Sequence, residues 1–543
     1  MSGDMSVGMG GGIGVSIDRR FNMLALKALL LTEVRLRMRR TGTLVAVLAL
    51  IAATWLMVGD PADGRALLVV DSVRVAYTST CLAIGSAGLA GFLFGLAGFY
   101  LVRGRMAEDL RSGAGAVLGA TPVGDAVFLF GRWLGSVAYL CGLLLAFMAT
   151  MMVLQAVRGE GPIQPLVYLQ AFALVLLPLV FFIASVALLC DAWAPLAGKG
   201  GDVLYFILFI ALIPAGAIPV SGAHGQWSPW LLLDFSGLGS TVLAFRSAIS
   251  TENFVLGGGD FDAALAPILL PESLWTAQIA FTRAACALIA LLPLAPAILL
   301  FHRFSPDRVK VRAVGSGWSP LALANRLLRP LTRLLRPLFA LAARTPGLPG
   351  YALAVLAMAL AINPAAIAAV LGLFVAGCLV GGPALGGVVI AAIAVWGTLV
   401  SEISVRDVRH DVDAMSGAAP GGGERRFAAQ WLAACLLALL PLAPVLLRWL
   451  LSEPVRAAAM VTGVLALASA ASLLGGASRS ARAFLALFLF GLYVATQAVK
   501  VPALDVVGFN GVANMQGVIQ QSLIGVLLFV GGLMHEKWRQ AKN

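Results

Sequence analysis

Apolar residues in this chain run almost uninterrupted for about 16 to 29 positions at a time, and polar residues gather between the runs instead of alternating within them. Runs of that length match the roughly 20 helical residues that cross the hydrocarbon core of a bilayer, whereas a barrel strand would alternate apolar and polar over about ten residues. A helix also satisfies its own backbone where no water is at hand. Twelve such runs predict twelve spans, at about 43–58, 79–101, 126–154, 165–190, 202–220, 275–301, 365–381, 385–401, 427–447, 457–475, 482–499 and 518–534. The expected fold class is an all-α polytopic membrane protein.

Charge between the runs sets their orientation, because Lys and Arg collect on the cytoplasmic side. Residues 1–42 carry seven basic side chains, and residues 302–350 carry nine against the single acid Asp307. Residues 221–274 hold only Arg246 against Asp234, Glu252, Asp260, Asp262 and Glu272, the balance of an external segment. An even number of spans returns the tail, with Lys537, Arg539 and Lys542, to the cytoplasm. Met1 to Ile17 lacks the charged-then-apolar order of a secretory signal and reads as a cytoplasmic leader without fixed structure.

The organisation that follows is a leader and interfacial helix over 1–42, a first half over 43–301 and a basic linker over 302–350. A second half with its own entry segment covers 351–534, and a tail covers 535–543. In the linker, Arg326, Arg329, Arg333 and Arg336 fall within one arc of roughly 80° on a 3.6-residue helix, with Leu328, Leu331, Leu335 and Leu338 opposite. Such a helix is expected to lie along the inner membrane surface with its guanidinium groups among anionic headgroups. Pro330 and Pro337 are placed to break it into short pieces, and a solvated linker is the alternative.

The two halves repeat one another. Ala46-Val-Leu-Ala-Leu50 resembles Ala369-Val-Leu-Gly-Leu373, and Arg105, Asp109 and Gly113 recur as Arg409, Asp413 and Gly417. Pro122 precedes Trp133 by eleven residues, as Pro420 precedes Trp431, and Asp234-Phe-Ser-Gly237 recurs as Asp505-Val-Val-Gly508. The offsets, 323, 304, 298 and 271, shrink steadily because the second half is shorter. The matches are colinear and each lies in the equivalent loop or span. They predict two homologous six-helix bundles related by an axis along the membrane normal.

Composition excludes most other classes. Hydrophobic residues make up 60% of the 543 and charged ones 12%, about half the charge of a soluble domain, which is roughly 25%. The net charge of +12 sits beside the apolar runs and not in a separate basic domain, so nucleic acid is not an expected partner. Cys81, Cys141, Cys190, Cys286, Cys378 and Cys435 lie in or beside apolar runs with no C-x-x-C pair, which implies neither a disulfide framework nor a metal site.

Little in the sequence points to catalysis. Gly198-Lys199 lacks the spacing and the Ser or Thr of a phosphate-binding loop, and His224, His302, His410 and His535 do not cluster. No acid lies well inside a span, where an ion-coupled carrier would need one. Arg283 is the one charge read within a span, with Glu272 as its expected partner. It is either structural or a contact for an anionic group of a substrate on its path.

The loops 102–125 and 402–426 are the best-organised cytoplasmic segments, a charged helix entry followed by a small-residue helix and a proline. Leu118-Gly-Ala-Thr-Pro122, followed by Phe130-Gly-Arg-Trp-Leu-Gly135, resembles the coupling loop of ABC-2-type permeases. Arg406-Asp-Val-Arg-His-Asp-Val-Asp413, Leu504-Asp-Val-Val-Gly508 and His302-Arg-Phe-Ser-Pro-Asp307 resemble the large bacterial members of that group. The resemblance implies a type V-like exporter fold in a bacterial cytoplasmic membrane, with both termini inside and an amphipathic elbow helix before each half, at 22–40 and 351–363.

It also implies a separate ABC ATP-binding subunit in two copies, which holds ATP and Mg, while this chain binds no cofactor and catalyses nothing. The implied coupling residues are Arg105, Glu108, Asp109, Gly113 and Pro122 in the first loop and Arg409, Asp413, Gly417 and Pro420 in the second. Asp234, Gly237, Asp505 and Gly508 form the external motif. The second loop is six residues shorter and gains Gly421-Gly422-Gly423, which suggests asymmetry. Membrane lipids, a second copy of the chain and an external protein are further expected partners. The competing functions are a membrane scaffold that passes ATPase work to an external partner and an ion-coupled carrier.

Overall fold

The protein is described from a computed structural model covering residues 10–39, 41–61, 64–217, 227–249, 254–301, 320–409, 412, 415, 422–497 and 501–542. The chain divides into two compact units, Met1–Gly317 and Trp318–Asn543. The division falls inside the basic segment 302–350, and its described part, residues 320–350, packs with the second unit.

The first unit runs α1 (Gly10–Met38), α2 (Thr41–Met57), β1 (Arg65–Val70), β2 (Val73–Arg74), α3 (Ser79–Val102), α4 (Arg105–Arg111) and α5 (Ala114–Gly119). It continues with α6 (Asp125–Arg158), α7 (Pro165–Ala192), α8 (Lys199–Ala217), α9 (Leu238–Ala248), β3 (Phe254–Asp260), α10 (Ala277–Ile289) and α11 (Leu294–Leu300). Helix α1 begins inside the stretch expected to lack structure; residues 1–9 lie outside the described residues. The second unit runs α12 (Pro320–Leu327), α13 (Arg336–Arg344), α14 (Gly347–Ile362), α15 (Pro364–Leu379), α16 (Leu385–Ile403) and α17 (Arg406–Arg409). Then follow α18 (Gly422–Ser452), α19 (Pro454–Ser478), α20 (Ala481–Gln497) and α21 (Met515–Lys542).

Among the described residues, helix occupies every one of the twelve apolar runs, but eight stretches are both long and apolar enough to cross a membrane. The count becomes nine if α14 and α15, which meet at 105°, are one broken span. The chain is a predominantly helical, multi-pass membrane protein. Helices α2, α15 and α20 hold 17, 16 and 17 residues. At 1.5 Å per residue that is about 25 Å of helix, short of a hydrocarbon core of roughly 30 Å. The bend before α15 sits at Asn363-Pro364, where the proline ring disfavours helical geometry in the preceding residue.

The expectation of an all-α chain needs one correction. A three-stranded antiparallel sheet of order β2-β1-β3 stands at one end of the first unit. Its hairpin turns on Asp71 and Ser72, both at positive φ (44° and 69°), the backbone of a tight two-residue turn. Tyr77 ties the sheet down, accepting from the Leu67 N–H at 3.0 Å and donating to the Gly59 carbonyl at 3.0 Å. Arg74 reaches Glu160 just beyond α6 at 2.6 Å, so the sheet caps the end of the unit where α3 begins and α6 finishes.

Close helix contacts fall where side chains are smallest. Gly131 and Gly135, one turn apart on α6, receive Leu29 and Glu33, one turn apart on α1; a Cβ on Gly135 would sit 2.6 Å from the Glu33 Cβ. Such small-residue faces let helices approach without a hydrophobic driving force between them. In the first unit the Phe209 ring of α8 seats on Gly95 of α3, and in the second the Phe488 ring of α20 seats on Gly397 of α16. The basic run that was expected as a helix is divided at its prolines into α12, a 3-10 turn over Arg329–Leu335, and α13.

Candidate functional site

Helices α4 and α5 fold the first coupling loop at the end of the unit opposite the sheet, where α1 and α3 finish and α6 begins. Arg105 and Asp109, one turn apart on α4, present different faces from Glu108. Asp109 points inward and is 3% exposed, while Glu108 faces solvent and pairs with Arg105 at 2.8 Å. Asp109 takes a charge-assisted hydrogen bond from Arg132 of α6 and lies 3.5 Å from Arg105.

Behind this pair stands Glu33 of α1, buried and approached by three guanidinium groups: Arg37 at 3.4 Å, Arg105 at 3.3 Å and Arg132 at 3.6 Å. Arg37 also donates to the Leu101 carbonyl at 3.1 Å and to Ser136 Oγ at 3.2 Å. The cluster joins α1, α3, α4 and α6 into one block. Removing one partner from such a buried ion network typically costs about 3–5 kcal/mol, because the charge left behind stays desolvated. A shallow cleft fronting about 280 Å³ opens over it, lined by Arg37, Arg105, Arg132, Ser136 and Asp191.

The loop is held at its entry as well. Arg103 is buried against Asp202 of α8 and donates to the Gly198 carbonyl at 3.0 Å, and the Asp191 carboxylate accepts the Gly104 N–H at 2.8 Å. Beyond α4 the polarity of the packing reverses. Ser112, Gly113, Ala116, Ala120 and Pro122 are exposed, and Val117 on α5 is 71% exposed. Gly113, at φ 75°, caps the start of α5 with open space around it. The loop therefore has an inner face fixed by ion pairs and an outer face of small residues around one exposed valine.

In the second unit only part of the matching loop is on view. Arg409 ends the short helix α17; Asp413, Gly417 and Pro420 lie outside the described residues. A related arrangement is nevertheless present. Arg426 near the start of α18 donates to Glu536 of α21 at 3.2 Å and lies 3.8 Å from Asp407 on α17. As with Arg132, an arginine early in the third long helix takes its acids from the loop helix and from a neighbouring helix.

The external motif is the same turn in both units. Asp234 closes a 3-10 turn over Pro229–Leu233 at φ −75°, ψ 67°, and Asp505 closes one over Pro502–Leu504 at φ −83°, ψ 61°. Three residues on, Gly237 and Gly508 adopt φ 77° and 75°, a left-handed conformation that costs a residue with a Cβ roughly 1–2 kcal/mol. Each buried carboxylate then folds the following backbone. Asp234 accepts from the Ser240 N–H at 2.8 Å, and Asp505 accepts from the Asn510 and Val512 N–H groups at 3.0 and 3.1 Å.

Arg283, six residues into α10, donates to the Asp234 carbonyl, to Leu174 and Val175 of α7 at 2.8 Å each, and lies 3.6 Å from the Asp234 carboxylate. Gln521, six residues into α21, donates to the Asp505 carbonyl at 3.5 Å and so takes the place of that arginine. The expectation of Glu272 as the partner of Arg283 is corrected: the Glu272 carboxylate accepts from Gln164 at 3.3 Å instead. The tryptophans of the repeat agree too. Trp133 donates to Ser185 of α7 at 3.1 Å, and Trp431 donates to Ser469 of α19 at 3.0 Å.

Sequence reasoning missed Glu33, Arg37 and Arg132, the centre of the inner cluster. Arg132 lies two turns inside α6, so Arg283 is not the one charge within a span. The available signal was Glu33, the one acid between Asp18 and Asp60. Among the described residues no group of His, Cys, Asp or Glu is placed to hold a metal ion. No model of a protein family, no curated protein and no solved structure matches the chain.

Proposed function

We propose that this chain is the membrane-spanning permease subunit of an ATP-driven exporter of the ABC-2 class. Two six-helix halves form the translocation path for a hydrophobic or amphipathic substrate, and a separate ATP-binding subunit, in two copies, holds ATP and Mg. In this reading the chain sits in a bacterial cytoplasmic membrane with both termini inside. Twelve helices cross the membrane, the short ones lying in locally thinned lipid or tilted partners' shadow.

The observation that carries the reading is the two-faced loop 103–122. Its outer face offers Val117 among small residues to a partner's groove, and its inner face is fixed through Asp109 and Arg132 to α6 and through Arg105 and Glu33 to α1. Force applied to α5 moves the elbow helix and a long membrane helix together, which is what coupling to an ATPase requires. In this reading Arg283 holds the wall of the path by bracing α7 against the external turn.

Co-purification tests it. The chain is expected to retain an ABC ATPase from its own cell, and Val117→Asp, which leaves the ion cluster untouched, is expected to release it. An ATPase that stays bound to that variant, or no ATPase in the wild-type preparation, removes the proposal.

The β1–β3 sheet favours a second reading, in which ATPase work is passed to an external protein. The sheet is a folded surface at the far end of the unit, with Val255, Leu265 and Leu269 exposed. Proteoliposomes containing chain and ATPase separate the two: ATP-dependent movement of substrate supports the exporter, and ATP hydrolysis without any flux supports the transmitter.

A further inference from the structure

We propose that residues 320–344 form a binding belt for anionic phospholipid. The inference does not depend on the exporter reading, since it rests on this segment's own charge and exposure. Arg326, Arg329, Arg333, Arg336 and Arg344 are all exposed, and no acidic residue occurs anywhere between Asp307 and Glu402. A five-arginine surface with no counter-charge of its own calls for an external anion.

The apolar side chains say which one. Leu335 is buried, and Leu328, Leu331 and Leu338 are half-buried, so one face of the segment rests on the second unit even though the prolines divide it into three pieces. On the other side Leu327 and Leu334 are 69% and 58% exposed, and Phe339 and Leu341 are 41% and 52% exposed. Arginines interleaved with bare leucines and a phenylalanine suit the boundary of headgroups and acyl chains, where guanidinium forks take phosphate oxygens and the apolar groups enter the chains. A soluble anion would leave those apolar groups in water.

The belt is also held beside the membrane. The Asn325 side-chain carbonyl accepts the Ala365 N–H at 2.9 Å and so caps the start of α15, one of the apolar helices. The segment is thereby fixed to a helix that enters lipid, at the height where headgroups lie.

Native mass spectrometry of the full purified chain tests this with phosphatidylglycerol and phosphatidylcholine of matched acyl chains. The wild type is expected to bind phosphatidylglycerol at least about tenfold more tightly, because each basic residue near an anionic surface is worth roughly a factor of five. Arg326→Gln, Arg329→Gln, Arg333→Gln and Arg336→Gln together are expected to abolish the preference, and Lys at the same four positions to keep most of it. Equal binding of the two lipids by the wild type overturns the proposal without reference to any variant, as does a full preference in the Gln variant. Displacement of the lipid by inorganic phosphate at equal concentration would assign the arginines to a soluble anion and overturns it too.

Discussion

Arg283 Nε donates to the Leu174 carbonyl at 2.8 Å, and that carbonyl is the one Pro178 leaves without its helical partner four residues on. Proline inside α7 thus creates an acceptor in the membrane, and arginine on α10 fills it. Arg283→Met is expected to destabilise the chain by about 3–5 kcal/mol, because it strands the Asp234 carboxylate as well as the Leu174 carbonyl. Thermal unfolding in detergent checks it. A midpoint unchanged from wild type means that the guanidinium is dispensable to the fold and free for another task.

The repeated turn predicts matched penalties in the two units. Gly237→Ala forces φ 77° on a residue with a Cβ and drives that Cβ to 2.9 Å from the Val175 carbonyl. Gly508→Ala meets φ 75° and places its Cβ 3.0 Å from the Arg456 carbonyl. Each is expected to cost at least roughly 1–2 kcal/mol from backbone strain alone, read as a fall in the unfolding midpoint. A loss confined to one unit would falsify the equivalence of the two turns.

Two further pairs report on the repeat without touching backbone. Double-mutant cycles of Trp133→Phe with Ser185→Ala, and of Trp431→Phe with Ser469→Ala, are expected to show coupling of about 0.6 kcal/mol each, the average for side-chain hydrogen bonds between membrane helices. Coupling in the first pair and none in the second means that the shared distance near 3 Å is coincidental geometry.

The parts that could be read from the sequence are those that short-range patterns encode. Apolar runs gave the helices, Pro122 with Trp133 and Asp234 with Gly237 gave the repeat, and Pro330 with Pro337 gave the breaks in the basic segment. The parts that could not be read depend on partners far away in the chain. Strand β1 is an apolar run of six, too short for a span, and its neighbour β3 is a glycine-rich segment some 190 residues later, so neither signals a sheet alone. Arg132 finds Glu33 across 99 residues and Asp109 across 23. Glu272 looked like the partner of Arg283 because it is near in sequence, but the helix packing brings Asp234 there instead. The insert that shortens the match is also visible only in the fold. Gly237 is separated from Ala277 by α9 and β3, whereas Gly508 leads almost directly to Met515.

Neighbouring acids on α4 are expected to behave in opposite ways. Asp109→Ala leaves Arg132 buried beside Glu33 with one anion fewer and is expected to cost about 3–5 kcal/mol. Glu108→Gln removes a solvent-facing partner of Arg105 and is expected to cost no more than about 1 kcal/mol. Unfolding midpoints of the two variants rank them, and equal effects mean that the ion cluster does not hold the loop.

The arrangement of the first unit predicts opposite labelling at its two ends. Cys81, Cys190 and Cys286 are buried, whereas Cys378 is exposed and is replaced by Ser to lower the background. A single cysteine is then placed at Ser112, in the exposed turn between α4 and α5, or at Asp262, in the exposed turn after β3. A membrane-impermeant maleimide added to intact cells is expected to label Asp262→Cys at once and Ser112→Cys only after the membrane is opened, because the basic flanks at 1–42 and 302–350 place the α4–α5 end inside. Both turns lie outside the helices long enough to cross the bilayer, at opposite ends of α3, so the two results must differ in any membrane-spanning arrangement of this unit. Labelling of Ser112→Cys in intact cells would put the coupling surface where no cytoplasmic ATPase can reach it, and the exporter and transmitter readings would fall together.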